Sequence, residues 1–351
     1  MRNYKLLVLT LLVSFFVSCG NESDNPNDYF SVSIKDAKKS NKTSDILQVS
    51  IQNKKNKTIE SINYMLDGQS IVTSEGNSEE NIQLSGLKMG KRNLTAEIKA
   101  NGSTYTVSRE VIITASETPK LYGYKILESY PHDIDAFTQG LEFENDTLYE
   151  STGQRTKSTL RKTNYETGAV LKNQKLEDQY FAEGITILND KIYQLTWERK
   201  TGFIYDLNSF NKTGSFVYGA SKQGWGLCND GTKIYKSDGT EKIWTLNQGT
   251  LAEESYIEIY TNTSKIPKVN ELEWVDGKIY ANVWQRDAIA IVNPTNGAVE
   301  GVIDMKGLQA QVTQHETLDV LNGIAYNGEP NILYVTGKNW DKLFKIEVVA
   351  K

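Results

Sequence analysis

One short phrase, repeated five times, constrains this chain more than any other feature. Its copies run Gly140–Tyr149, Gly184–Tyr193, Gly226–Tyr235, Leu272–Tyr280 and Gly323–Tyr334. Each opens on a strand pattern, turns on Asn, Asp or Gly, and closes on an aliphatic–Tyr pair such as Leu148-Tyr149 or Ile192-Tyr193. The closing tyrosines, Tyr149, Tyr193, Tyr235, Tyr280 and Tyr334, stand 44, 42, 45 and 54 residues apart. A period of about 40 to 50 residues carrying only strand signals marks propeller blades. A second hairpin follows each copy, clearest in Leu160–Gly168 and Ala288–Gly297, so each blade is expected to hold four strands. The last copy ends one strand short at Leu343–Val349. Tyr122–Leu127, ahead of the first copy, is the expected replacement. A ring closed by strands from both ends leaves no open edge.

Residues 29–115 also read as all-β. Leu47, Val49 and Ile51 alternate with polar residues, as do Leu94, Ala96 and Ile98, and Asp67-Gly68 and Asn101-Gly102 mark turns. About seven short strands in so few residues fit a small immunoglobulin-like sandwich. No cluster of catalytic residue types lies there, so it reads as a spacer or contact module. The expected fold is therefore all-β, a five-bladed β-propeller (122–351) preceded by a small immunoglobulin-like β-sandwich (29–115), with a linker at 116–121.

The start of the chain differs. Arg2 and Lys5 precede Leu6–Val17, which is almost wholly apolar but too short to span a bilayer as a helix. Phe16-Val17-Ser18-Cys19-Gly20 resembles a bacterial lipobox, with Phe16 where Leu is usual. The expectation is a lipoprotein signal peptide over 1–18, lipidation of Cys19, a flexible polar tether over 19–28, and an exported cell-envelope protein held to the membrane by acyl chains. Cys228 is then the one remaining thiol, which excludes an intrachain disulfide, and it reads as a small buried filler. A net charge of −5 argues against a nucleic-acid partner. The only histidines, His132 and His315, are far apart in the repeat register, and there is no Gly-x-Ser-x-Gly, His-Glu-x-x-His or Cys-x-x-Cys. A serine triad or a His-rich zinc site is thus not supported, and His132 is expected to fix the turn entering the first blade.

Registering the copies aligns a second set of residues. Phe137-Thr138-Gln139, Phe181-Ala182-Glu183, Gln223-Gly224-Trp225, Val269-Asn270-Glu271 and Leu321-Asn322 lie just before or at the head of the repeated strands. Gly153, Trp197, Gly239, Trp284 and Lys338 lie four residues after each repeated tyrosine. Equivalent positions of a propeller sit at equal heights around its axis. A polar and aromatic pocket is therefore expected at one end of the channel, and such pockets are the default binding site.

Together these segments resemble the plant-type and bacterial glutaminyl-peptide cyclotransferases, or glutamine cyclotransferases. The resemblance rests on His132–Leu141, Tyr149–Gly153, Phe181–Thr186, Leu195–Trp197, Gly224–Leu227, Ser237–Thr240, Asn270–Trp274, Tyr280–Trp284 and Val335–Lys338. It departs at Ala182, where the family commonly has Gly. It implies a five-bladed propeller that converts N-terminal glutamine of peptides and proteins to pyroglutamate with release of ammonia, without a catalytic metal. It places the essential carboxyl at Glu183, and Gln139, Phe181, Trp197, Trp225, Asn270, Trp284 and Lys338 around the substrate. Glu183 would act as general acid and base, its pKa raised by Phe181 and Trp197, while Lys338, Gln139 and Asn270 would bond the carbonyl oxygen. The sign of a Glu183–Lys338 balance is left open. A structural calcium in the channel is allowed but not specified by the residues, and a monomer is expected. Two other readings stand beside this one: a metal-dependent lactonase-like propeller using Glu183, Asn270 and Asn322 as oxygen ligands, and a non-catalytic binding propeller.

Overall fold

A computed structural model describes residues 25–351. The signal-peptide and Cys19 expectations lie outside these residues. The expected tether is partly ordered, since Pro26–Tyr29 forms one helical turn whose N-cap, Asn25, accepts the Asn27 N–H at 3.1 Å. Pro at the head of this turn loses no hydrogen bond, because the first helical N–H groups have no intrahelical partner.

The N-terminal module is a sandwich of a three-stranded and a five-stranded sheet. It has eight strands, not about seven; the extra one is the two-residue strand Asn41–Lys42, paired parallel to Ser103–Thr114. Alternation along Gly90–Ala100 sends Leu94, Ala96, Ile98 and Ala100 into the core against Val49, Ile62 and Tyr64. Asp67-Gly68 and Asn101-Gly102 take positive φ at both positions, the geometry of a tight two-residue hairpin. Tyr260 of the propeller joins this core. Met89 N–H donates to the Asn296 carbonyl at 2.7 Å and Lys91 N–H to Glu258 Oε2 at 2.9 Å.

The propeller follows the repeat. Its first blade comprises Thr138–Glu144, Thr147–Thr152, Thr159–Thr163 and Val170–Lys175, in that order from the axis outward. The second and third blades repeat this antiparallel meander from Ala182–Leu188 and Leu227–Asn229. The turns Asn145-Asp146, Asn189-Asp190 and Asp276-Gly277 again have positive φ throughout, which is why the phrase needs Asn, Asp or Gly there.

Closure involves more than the expected substitute strand. Lys120–Pro131 starts inside the presumed linker, pairs antiparallel with Lys342–Ala350, and pairs parallel with Val299–Asp304 of the fourth blade. The last two blades thereby become one eight-stranded sheet.

The glycine that opens the phrase has a steric cause. A Cβ on Gly140 would lie 2.5 Å from the Ile185 nitrogen, and one on Gly184 would lie 2.7 Å from the Gly226 Cα. Inner strands of neighbouring blades converge there without forming a ladder: Gly184 N–H reaches the Trp225 carbonyl at 2.7 Å, and edge N–H groups farther along need other partners. Buried glutamates supply them. Ile187 N–H donates to Glu142 at 3.0 Å, Ile324 N–H to Glu271 at 3.0 Å and Tyr326 N–H to Glu273 at 2.9 Å. Burial raises all three carboxyls, Glu142 to about 8.

Candidate active site

A cavity of about 410 Å³ opens at one end of the axis. All eight residues expected there line it: Gln139, Phe181, Glu183, Trp197, Trp225, Asn270, Trp284 and Lys338. Three further residues join them. Phe137 and Gln223 stood in the repeat register, and Phe137 occupies the same repeat position as Phe181. Asp319 comes from the long insertion between the fourth and fifth phrases, where no register exists to point at it. In the same insertion, Gln309–Gln311 forms one 3-10 turn.

The walls are aromatic. Phe181 packs edge-on between Phe137 (6.0 Å between centroids) and Trp197 (5.6 Å), and Trp225 meets Trp284 edge-on at 5.9 Å. The two glycines of the upper register make room for these rings. A Cβ on Gly153 would stand 2.5 Å from the Phe181 ring, and one on Gly239 would stand 2.5 Å from the Trp225 ring. Gln223 fixes both indoles through one oxygen, accepting from Trp197 Nε1 at 3.0 Å and Trp225 Nε1 at 2.8 Å.

The floor is polar. Glu183 is 4% exposed and accepts one hydrogen bond, from Gln139 Nε2 at 3.1 Å. Asn322, also in the register, lies beneath the cavity and donates from Nδ2 to Gln139 Oε1 at 3.1 Å, which fixes the orientation of that amide. One of the two Gln139 amide N–H groups is therefore committed to Glu183 in this arrangement. Asn270 Oδ1 is buried with no partner, an open acceptor in a dry site. Lys338 Nζ stands 4.8 Å from the Phe137 centroid. The turn of Lys338 is held by its own N–H on the Val320 carbonyl and by Asp319 N–H on the Lys338 carbonyl.

Burial drives the Glu183 carboxyl well above the ordinary carboxylate range, and the Lys338 charge only partly opposes it. Burial likewise lowers Lys338, against the pull of Glu183 and Asp319. Desolvation thus pushes both groups toward their neutral forms. A network behind the wall supports the loop: His132 bonds the Trp340 carbonyl (2.8 Å) and Glu150 (3.1 Å), and Glu150 accepts from Thr138 Oγ1 at 2.7 Å. Burial opposes the His132 charge, but Glu150 outweighs it and raises the imidazole pKa. Among the described residues, no group of three or more His, Cys, Asp or Glu side chains is placed to hold a metal ion.

A family model for glutamine cyclotransferases matches residues 94–348. The chain belongs to this family. The match reaches back into the last hairpin of the sandwich, beyond the propeller that first suggested the resemblance. A glutaminyl-peptide cyclotransferase of Arabidopsis thaliana is 39% identical over 227 residues, covering 64% of this chain and 71% of that protein. The crystal structure of Myxococcus xanthus glutaminyl cyclase superposes with a TM-score of 0.62 at 31% identity, covering 66% of this chain and 99% of the other. The family is one of enzymes that act on N-terminal glutamine of peptides and proteins.

Proposed function

We propose that this pocket cyclises the N-terminal glutamine of peptides to pyroglutamate, with Glu183 moving the proton. The observation that carries this reading is a single buried carboxyl of raised pKa, held by one amide inside an aromatic box. The substrate's α-amine attacks its own side-chain carbonyl carbon, forming the lactam C–N bond. The bond to the side-chain nitrogen then breaks. The attacking nitrogen loses one proton and the departing nitrogen gains one, so ammonia leaves and Glu183 is regenerated.

The raised pKa suits this exchange. An unperturbed α-amine has a pKa of about 7.7–8.0. A carboxyl brought towards that value shares a proton with the amine at little cost, which populates the neutral amine needed for attack. Asn270 Oδ1 is free to accept from the amine. Lys338 would stabilise the oxygen as charge develops, with the second amide N–H of Gln139 beside it, the first being engaged with Glu183. The tryptophan walls hold the curled side chain near its attack geometry.

Lys338 and the inward-facing Gln139 amide also make the ring a poor cation site, which favours this reading over a metal-dependent one. Incubating the purified protein with a Gln-initiated peptide should release one ammonia per peptide, detected as the corresponding mass loss. Unchanged peptide after prolonged incubation would refute the assignment.

A further inference from the structure

The mouth of the pocket is charged unevenly. The loops that carry Trp197, Trp225, Asn270 and Trp284 also carry five exposed cations: Arg199, Lys200, Lys222, Lys268 and Arg286. Each lies within three residues of a pocket-lining side chain. Lys268 also touches the wall directly. Its carbonyl accepts the Trp284 N–H at 2.9 Å, and its Nζ stands 4.6 Å from the indole centroid.

None of the five meets a carboxylate among the described residues, and the Lys268 ammonium donates only to Gln285 Oε1, at 3.2 Å. Most carboxylates on the same arc are engaged elsewhere. Glu198 pairs with Arg155 at 3.1 Å, and Glu241 with Lys265 at 2.9 Å. Asp238 accepts from Trp244 Nε1 at 2.7 Å; Asp287, exposed beside Arg286, is the one carboxylate of this arc with no such partner among the described residues. The opposite arc is acidic: Asp319 lines the pocket, and Asp135 and Glu316 are exposed in the neighbouring loops. This polarity stands out on a chain whose net charge is −5.

A peptide whose first residue fills the pocket must leave through this mouth. At about 3.3–3.6 Å per extended residue, its second to fourth residues cross the rim. Screening at ordinary ionic strength acts over about 8–10 Å, so their charges feel the arc.

We propose that Lys222, Lys268 and Arg286, flanked by Arg199 and Lys200, form a subsite for acidic side chains that follow the N-terminal glutamine. Peptides beginning with glutamine and then Asp or Glu are the preferred substrate class. The inference rests on the cyclotransferase reading of the pocket and adds the chemistry of its exit.

The test compares three peptides of equal length beginning Gln-Glu-Glu, Gln-Ala-Ala and Gln-Lys-Lys, with kcat/KM read from ammonia release. At low salt the acidic peptide should exceed the basic one by on the order of tenfold or more, mostly through KM. The gap should close near 1 M salt, where the screening length falls to about 3 Å. The double variant Lys222→Glu/Arg286→Glu alters two exposed side chains and should invert the order. Its acidic-to-neutral ratio is the readout, with its melting temperature as the check on folding. Equal kcat/KM for three cyclised peptides would overturn the subsite and leave the activity standing. A preference that persists at high salt, or survives the double reversal, would also overturn it. No ammonia from any peptide would overturn both the activity and its subsite.

Discussion

Lys236 with Glu253 in the third blade, and Lys338 with Glu183 across the pocket, are two buried lysine–glutamate partnerships in one propeller. The first is a closed ion pair. Lys236 Nζ donates to Glu253 at 3.1 Å, to the Gln223 carbonyl at 3.0 Å and to Ser221 Oγ. Glu253 also accepts from the Ser221 N–H at 3.0 Å and from the Ser221 hydroxyl. Burial alone would raise the Glu253 carboxyl, but the bonds from Ser221 and Lys236 overcome it and leave it below its ordinary value. Glu183 has one neutral amide donor and a more distant cation, and its carboxyl rises instead. The same two residue types therefore give a carboxyl held below its ordinary value in one place and one raised above it in the other. The number of hydrogen bonds to the carboxylate decides which. The closed pair also serves the open one, because Lys236 holds the loop of Gln223, which clamps two pocket indoles.

The sharpest way to break this comparison is to neutralise each glutamate in turn. Glu183→Gln should lower kcat by about 10²–10⁴-fold, the usual worth of general acid–base catalysis, without lowering the melting temperature. Glu253→Gln should instead cost about 3–5 kcal/mol of stability, read by denaturant unfolding, because it strands the buried Lys236 charge. Equal losses of activity and stability in both variants would erase the distinction.

A smaller effect is expected at Lys338. Its charge holds the Glu183 carboxyl down, so Lys338→Met should raise that pKa further. Under the proposed mechanism Glu183 sets the acidic limb of the kcat/KM profile, which should then move about one pH unit alkaline. An unmoved limb would mean that Lys338 does not act on Glu183.

The last expectation concerns the axial carboxyls, which are buried like Glu183 but are not in the pocket. Glu142 has a folded pKa of about 8, above its ordinary 4.5, so the folded chain keeps the proton longer. The stability this contributes is complete below the unfolded value and is lost as pH rises from about 4.5 to about 8. Thermal unfolding across that window should show a falling melting temperature, flatter in Glu142→Gln. Identical slopes would assign the loss to other groups.

The blade count and the composition of the pocket were legible in the chain because a propeller repeats one local unit. Asn145-Asp146 and Asn189-Asp190 must turn the same way, and Gly140 and Gly184 must clear the next blade. Equal offsets from these landmarks therefore reach equal heights on the axis, which brought Gln139, Glu183, Trp197, Trp284 and Lys338 together. Asp319 had no landmark, because it lies in an insertion. The parallel pairing of Lys120–Pro131 with the fourth blade was equally hidden, since an edge strand shows its own pattern but not its partners.

What the sequence by itself determined was the repeat, and through it the fold and the ring of side chains facing the pocket. What only the tertiary structure decided was the state of those side chains. Whether a glutamate beside a lysine is a closed pair or a carboxyl of raised pKa depends on donors from distant loops, Ser221 for Glu253 and Gln139 for Glu183, and on the water that packing removes. Hydrogen-bond geometry and desolvation are properties of the assembled ring, so no local pattern could record them.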